Sequence, residues 1–348
     1  MPPARKDKIG MKDIAEAAGV SVMTVSAALS GAGRVSDTRK REIVALAHRM
    51  GYRSNTAARL LKSKRVDDLG LLIFEKEDLI RENAMCMDMT IQFMKECLRN
   101  GIHFQLEWFD CYRNANEIPQ MLTNGLVGGL LIAGAPANAA KRFIDKDLCL
   151  PSVSLCESGK YSVNFDNGAQ LRQAVYYLAS LGHTDIGLIN GPTEYAVHRH
   201  NRALFEAALD ELSLRRPDTL YIEDHPGDDF RNEIIRHLTQ FLEAPNRPTA
   251  MLIHSGLFTK AFISGLQRRG LRVPEDVSII CLETVDWEAE KFEPPITAVE
   301  RRAAELIATG IRMVRELMDG RELRDASTLI QPAFTKRGTV CPPKNRKF

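Results

Sequence analysis

The sequence predicts two fold classes in one chain: an all-α helix-turn-helix head, and an α/β body in which two parallel, doubly wound sheets form two lobes. Within the first 65 residues, two short segments with helical spacing of apolar residues flank a glycine. From Asp68 onward, short apolar runs alternate with helical stretches, as in parallel sheets with crossover helices. The length of 348 residues allows two or three domains.

Three short helices are predicted in the head, over Met11–Ala18, from Ser21 to about Ser30 and from Asp37 to about Met50. Gly19 supplies a tight turn between the first two, and Ser21 is a good N-cap for the second. Gly51 ends the third helix, so residues 1–51 are expected to form one domain.

Charge is distributed unevenly along the chain. Residues 1–65 carry 14 Lys and Arg against 5 Asp and Glu, a net charge of +9, whereas the remainder carries −7. A basic head on an acidic body indicates a polyanionic partner for the head alone. A solvated basic surface without a partner is the alternative.

Composition excludes several classes of protein. No run of about 18 apolar residues is present, and the charged N-terminus lacks the apolar region of a secretory signal, so a cytoplasmic protein with no membrane partner is expected. The seven cysteines form no CxxC pair, which argues against a disulfide framework or a zinc ribbon. Neither GxGxxG nor GxxxxGK[ST] occurs where a nucleotide site would need it, and no cofactor or metal is predicted.

The head contains a more specific signal. The string from Met11 to Ser30, followed by Arg34-Val35-Ser36, Arg39, Gly51-Tyr52 and Asn55, resembles the opening of the LacI/GalR family of transcription regulators. That resemblance implies a DNA-binding regulator, by family default a repressor, that works as a homodimer on a two-fold operator in double-stranded DNA. It also implies a body similar to periplasmic sugar-binding proteins, which binds a small-molecule effector.

The resemblance assigns roles on the second helix. Ser21, Thr24 and Ser26 match positions that contact phosphates, and Arg34 matches a loop position that contacts the backbone or a base. The positions that read base edges are Val22, Met23 and Ala27. These three are apolar where family members are more polar, so we expect readout by thymine methyl contact and DNA shape. Buried core positions are the alternative reading for them.

A hinge is predicted over residues 52–66. Tyr52 and Asn55 belong to the matched string, and Asn55 can cap a short helix. By resemblance, Leu61 is the leucine that wedges into a minor-groove base step, and Ala58 is the small residue facing that groove. An ordinary basic linker is the alternative.

The body is expected to divide into an N-terminal lobe of residues 67–163 and 294–325, and a C-terminal lobe of residues 164–293 and 326–341. Several strings resemble landmarks of the family's sensor domain: Asp166-Asn167-Gly168, Leu181-Gly182-His183, Gly191-Pro192, Gly270 to Ser278 and Pro294-Pro295-Ile296-Thr297. A cleft at the carboxyl edges of the strands is therefore expected between the lobes.

Candidate ligand contacts in that cleft are Asp166, Arg199, Asn201, Arg202, Ser255, Glu283, Asp286 and Trp287. The family's usual residues change at three places: Asn201 stands for an Arg, Ser255-Gly256 for Asn-Asp, and Cys281-Leu282-Glu283 for Gly-Tyr-Asp. A non-sugar effector, a sugar or polyol that stacks on Trp287, and a degenerate cleft with no ligand all remain open.

Two other classes of function have less support in the sequence. His183, His198, His200, His254 and Cys281 could take part in catalysis or metal binding, but none stands in a catalytic or metal motif, so no enzyme and no catalytic residue is predicted. A periplasmic transport receptor would have a signal peptide and no basic head.

Overall fold

The computed structural model describes residues 9–30, 35–50, 52, 66–77, 83–114, 116–136, 139, 142–143, 150–193, 195–215, 221–223 and 230–344. The chain forms two compact units, over residues 1–65 and 66–348.

The first unit contains α1 (Met11–Ala18), α2 (Val22–Ser30) and α3 (Asp37–Arg49). Gly19 ends α1 in the left-handed conformation, with φ of 62°, which a glycine adopts without strain. A small core holds the three helices together, made of the fully or almost fully buried Ile14, Ala15, Val25, Ala28, Ile43 and Ala47. Three of these six residues are alanines, whose small side chains allow the helices to pack closely.

The second unit is an α/β body with the following elements in chain order: β1 (Leu69–Phe74), α4 (Ala84–Arg99), β2 (Phe104–Phe109), β3 (Gly129–Ala133), β4 (Ser152–Leu155), β5 (Ser162–Phe165), α5 (Asn167–Ser180), β6 (Ile186–Asn190), α6 (Ala196–Arg199), α7 (Asn201–Glu211), β7 (Tyr221–Glu223), α8 (Phe230–Glu243), β8 (Ala250–Ile253), α9 (Gly256–Gln267), β9 (Ser278–Thr284), α10 (Asp286–Glu290), β10 (Ala298–Glu300), α11 (Ala303–Met318), β11 (Ser327–Ile330) and β12 (Ala333–Thr335).

These strands form two sheets. The order is β11-β5-β4-β3-β1-β2 in the N-terminal lobe and β12-β10-β9-β8-β6-β7 in the C-terminal lobe. The pairings are parallel except for the edge strand β12, which runs antiparallel to β10. The predicted fold class is confirmed, with β12 as an addition to it.

Each sheet packs against helices. In the N-terminal lobe, α4 and α11 cover one face through side chains such as Phe93 and Ile307. In the C-terminal lobe, α8 and α9 cover one face and α5 and α7 the other, with Phe241 and Phe205 among the buried side chains. In the N-terminal lobe, a second cluster that includes Phe109 and Phe143 covers the other face, and burial on both faces explains why β1 and β3 are near-continuous apolar runs.

The lobe boundaries differ from the predicted ones. β5 runs to Phe165 in the N-terminal lobe, β10 lies in the C-terminal sheet, and β11 lies in the N-terminal sheet. The chain therefore crosses between the sheets after Phe165, after Glu300 and after Ile330, which is two, seven and five residues beyond the predicted boundaries at 163, 293 and 325. The sheet to which such a short strand belongs depends on the strands with which it pairs, and the local sequence pattern does not show which strands those are.

Candidate functional site

The turn between α1 and α2 is built by local hydrogen bonds. The N–H of Val20 donates to the carbonyl of Ala15 at 3.0 Å. Ser21 then caps α2: its Oγ accepts from the backbone N–H of Thr24 at 3.1 Å and lies 2.9 Å from the Thr24 hydroxyl. The predicted N-cap is therefore present, and two hydroxyls lie side by side at the start of α2.

Tertiary contacts fix α3 against this turn. Arg39 on α3 donates from Nη2 to the carbonyl of Ala18 at 2.7 Å, satisfying an orphan acceptor at the end of α1. The same side chain pairs with Glu42 at 2.7 Å. The angle between the helices is thus held by a hydrogen bond as well as by the small core.

The two faces of α2 differ. Val25 is completely buried, whereas Val22 is 42% and Met23 80% exposed. Ser21 and Ser26 are also exposed, and Thr24 and Ala27 are half-buried. Two large apolar side chains beside hydroxyls, on the open face of a short helix, can reach base edges and phosphates together.

The other predicted DNA contacts fall elsewhere. Tyr52 is half-buried against the small core, and its N–H donates to the carbonyl of Ala47 at 2.9 Å. Arg34, Asn55, Ala58 and Leu61, and the hinge apart from Tyr52 and Val66, lie outside the described residues.

In the body, polar side chains gather where strands of the two sheets end. Arg301 directly follows β10, is 7% exposed, and has its guanidinium carbon 5.0 Å from the ring centroid of Phe165 at the end of β5. A guanidinium nitrogen lies 3.2 Å from the carboxylate of Glu283 on β9. The Nε of Arg301 finds no acceptor among the described residues. A charged group with a spare donor therefore lies where the chain crosses between lobes.

Glu157 follows β4 and approaches the other lobe. It is 4% exposed, and its Oε2 accepts from the backbone N–H of Ala196 on α6 at 3.2 Å. Burial raises the pKa of this carboxyl to about 8. The hydroxyls of Tyr112 and Tyr195 lie 3.3 Å apart and make a second contact between lobes.

A network of side-chain amides contacts the backbone of α6. Asn201 donates to the side-chain oxygen of Asn190 at 2.9 Å, and Asn190 donates to the carbonyl of His198 at 3.1 Å. Asn167 approaches Asn201 at 3.4 Å, while its own Oδ1 is buried with no partner in the described part of the chain. The rings of His198 and His254 meet edge to face, with centroids 5.2 Å apart.

The predicted ligand contacts separate into two groups. Asn201 and Glu283 lie in the clusters just described, and Arg199 on α6 acts electrostatically on Glu157. Asp166 caps α5 through the N–H of Ala169 at 2.9 Å, and Ser255 precedes α9. Arg202 pairs with Glu206 at an exposed position of α7. Trp287 is 48% exposed and lies beside Lys291. The side chain of Asp286 is not among those that the structure describes.

Arg301, Glu157, Asn190 and His254 were not among the ligand contacts predicted from the sequence. Each lies at the carboxyl end of a strand or within two residues after it, which is the position where open α/β sheets bind ligands. That rule points to Asn190 and His254 once β6 and β8 are recognised as strands. Arg301 follows β10, a strand for which the sequence pattern gave no prediction.

The cysteine and histidine side chains that could take part in catalysis or metal binding are placed unfavourably for those roles. The thiol of Cys281 is fully buried, and burial raises its pKa to about 12. His183 bridges the Thr249 hydroxyl and the Cys341 carbonyl at the opposite edge of the sheet. Within the described ranges no three His, Cys, Asp or Glu side chains are placed to share a metal ion, and no described helix has the length and apolarity needed to cross a bilayer.

Comparison with known proteins agrees with this architecture. Residues 10–55 match the model for bacterial regulatory proteins of the lacI family, and residues 175–340 match a periplasmic binding protein-like domain. The HTH-type transcriptional repressor PurR of Vibrio campbellii is 25% identical, covering 95% of this chain and 98% of that protein. The HTH-type transcriptional regulator AglR of Rhizobium meliloti is 27% identical, covering 90% and 88%.

A solved structure of the Lac repressor dimer bound to operator and the anti-inducer ONPF has the same fold, with a TM-score of 0.77 and 22% identity over 96% of this chain and all of that one. The head, the body and their order along the chain are thus shared with known regulators. The chain belongs to the LacI/GalR family of bacterial transcription regulators.

Proposed function

We propose that this protein is a sequence-specific transcription repressor that binds a two-fold operator as a homodimer in the cytoplasm. A small molecule bound between the lobes modulates its operator affinity. The observation that carries the proposal is the open face of α2, where Val22 and Met23 project beside the paired hydroxyls of Ser21 and Thr24. Relatives named as repressors support the direction of regulation.

The DNA contact divides into positioning and reading. The hydroxyls of Ser21, Thr24 and Ser26 would contact phosphates and so position α2 on the duplex, because hydroxyls bind phosphate oxygens whatever the base sequence. Val22 and Met23 cannot make bidentate hydrogen bonds to a base, but they can pack on thymine methyls in the major groove. The operator is therefore expected to be rich in thymine at the positions that α2 covers.

Dimerisation is supported by a stripe of exposed apolar side chains on α4. Met87, Ile91, Met94 and Leu98 recur at helical spacing and are 37%, 39%, 36% and 68% exposed. The stripe runs beside the edge strand β2, where Leu106 is also 36% exposed. A second copy of the chain is the occupant proposed for it, because paired heads must read half-sites about 34 Å apart.

The cleft is proposed as the effector site. Its polar groups are Arg301, Glu283, Glu157, Asn201 and Asn167, of which Arg301 and Asn167 each retain an uncommitted polar atom among the described residues. A regulator of similar fold has been solved as a CelR–cellobiose complex, and a small ligand between the lobes is proposed here by analogy with it. The competing proposal, a regulator with a degenerate cleft, draws on the altered Ser255-Gly256 and Cys281-Leu282-Glu283 positions.

Selection of bound duplexes from a random pool tests DNA recognition. The full chain should enrich a two-fold sequence, and Met23→Ala should change the base preference at one symmetric pair of positions. Glu16→Gln, at an exposed position of α1, is the matched control and should leave the preference unchanged. No enrichment at moderate salt would exclude the proposed function. A thermal-shift screen of neutral sugars, nucleobases and amino acids then separates a working cleft from a degenerate one.

A further inference from the structure

Two valines of the C-terminal lobe pack into the core of the N-terminal lobe. Val285, which follows β9, is 3% exposed and belongs to the buried cluster between α4, α11 and the N-terminal sheet, here called the N-terminal core. Val197 on α6 is half-buried and packs against the same cluster. The other buried members of this cluster come from the N-terminal lobe. These two side chains therefore carry apolar surface of one lobe into the core of the other.

The backbone of Val285 is fixed in the C-terminal lobe. Its carbonyl accepts from the N–H groups of Glu288 and Ala289 at 3.1 Å each, which forms the first turn of α10. Ala289 is fully buried in the core of the C-terminal lobe. The side chain of Val285 can therefore leave the N-terminal core only if the lobes separate or α10 unfolds.

Helix α6 is also held firmly on the C-terminal lobe. The Nδ2 of Asn167 donates to the carbonyl of Val197 at 2.5 Å, and the Nδ2 of Asn190 donates to the carbonyl of His198 at 3.1 Å. A Cβ atom on Gly191 would lie 2.4 Å from the His198 ring, so α6 packs directly on the backbone after β6. Because its backbone is held in this way, Val197 leaves the N-terminal core when the lobes separate.

Polar contacts precede Val197 in the chain. The Tyr195 hydroxyl lies 3.3 Å from the hydroxyl of Tyr112. The N–H of Ala196 donates to Glu157 at 3.2 Å. When the lobes separate, such hydrogen bonds are exchanged for bonds to water, so their net contribution is small. Buried apolar surface has no comparable compensation in water, so the two valines contribute more to joining the lobes.

We propose that Val197 and Val285 form an apolar clasp, which holds the two lobes joined through contacts of the protein alone. An effector then does not have to supply the contacts that close the cleft, and it regulates only by binding one lobe arrangement more tightly than the other. This consequence for regulation rests on the proposed function, whereas the clasp itself does not.

Val285→Thr tests the clasp with little change of shape. It places a hydroxyl among apolar side chains when the lobes are joined, and water solvates that hydroxyl when they separate. The ratio of separated to joined protein should rise on the order of tenfold. Hydrogen exchange of the full chain, followed by mass spectrometry of the peptide that contains Ala196, should accelerate by the same factor. Val197→Thr should act in the same direction.

Val314→Thr is the matched control, because Val314 is fully buried in the N-terminal core but lies on α11 of the same lobe. This variant should lower the stability of the fold and leave the exchange of Ala196 unchanged. Equal exchange of Ala196 in Val285→Thr and the wild type would overturn the clasp.

Val285→Asp tests the separation itself, because an unpaired charge in the N-terminal core shifts the balance much further than a hydroxyl. Small-angle X-ray scattering should show the full chain expanded in this variant and compact in the wild type. A compact Val285→Asp protein would overturn the clasp, and faster exchange of Ala196 in Val285→Thr would then be assigned to fraying of α6.

Operator affinity of the same proteins separates this proposal from the proposed function. If the lobe arrangement regulates DNA binding, Val285→Asp changes the affinity and Val314→Thr does not. An unchanged affinity in an expanded protein rejects regulation through the cleft and leaves the clasp standing. Absence of operator binding by the wild type rejects the proposed function, and the exchange and scattering results still decide on the clasp.

Discussion

A guanidinium nitrogen of Arg301 lies 3.2 Å from a carboxylate oxygen of Glu283, and the two side chains are only 5% and 20% exposed. The pair joins β9 to the crossing after β10, and Arg301 also lies over Phe165 of the N-terminal lobe. Removing one member of a buried pair leaves the other charge without a partner in the protein interior. The stability lost is therefore much larger than for an ion pair exposed to water.

Arg301→Met should therefore lower the free energy of unfolding of the body by about 3 kcal/mol, measured by urea denaturation. Its neighbour Arg302 pairs with Glu305, with side chains 53% and 50% exposed, so Arg302→Met is the matched control. The control should change stability by about 1 kcal/mol or less. Equal effects of the two substitutions would contradict a buried, structurally important pair.

Ser21→Ala should destabilise the head by about 1 kcal/mol, because the N–H of Thr24 loses the acceptor that caps α2. Amide hydrogen exchange of α2 in the full chain measures this. Ser21→Asn supplies another capping side chain and should restore most of the protection. If the alanine and asparagine variants exchange alike, the cap is not what stabilises α2.

Lysine at Leu98 should weaken the proposed dimer, because it introduces like charges on both sides of an isologous apolar contact. Leu98→Lys is expected to sediment as a monomer at concentrations where the wild type is a dimer, and to lose operator affinity at least tenfold. Arg99→Glu is the control, because Arg99 is 73% exposed and follows Leu98 in the chain but does not belong to the apolar stripe. A dimeric Leu98→Lys protein would place the interface elsewhere.

Stability of the body should fall as the medium becomes acidic, in part through His183. Burial lowers the pKa of this imidazole below its ordinary 6.5, where it bridges the Thr249 hydroxyl at 2.8 Å and the Cys341 carbonyl at 2.9 Å. A histidine with a depressed folded-state pKa contributes its full stability above 6.5 and loses it as pH falls below that value, since the unfolded chain takes up the proton first. Urea midpoints should drop more steeply below this pH for the wild type than for His183→Gln, and parallel curves would remove His183 from the explanation.

Much of the fold was predictable because local rules agree with it. α1 begins and ends at the predicted Met11 and Ala18, and the alternation of apolar runs with helical stretches from Asp68 onward is the alternation of strands and helices in the body, because such runs are strongly periodic or continuous in the sequence. The strands β5, β10 and β11 were not predicted, because their stability comes from their neighbours in the sheet.

The candidate site was predictable only in part. Val22 and Met23 follow from their place at the start of a helix whose inner face is already filled by Val25. In the cleft, Asn201 and Glu283 were identified by matching positions to the family, whereas Arg202 projects at an exposed position of α7 beside Glu206. One residue of helical rotation, about 100°, separates Asn201 from Arg202, and matching by sequence position does not resolve it.

The sequence by itself determined the helix-turn-helix, the alternation of strands and helices, and the apolar face that α2 exposes, because spacing, caps and glycine turns act over a few residues. Only the tertiary structure decided which lobe receives β10 and β11, and that Arg301 meets Glu283 and Phe165 at the crossing. Those outcomes depend on pairing and burial between separate segments of the chain, and a carboxyl such as Glu157 acquires its raised pKa only through burial in the folded structure.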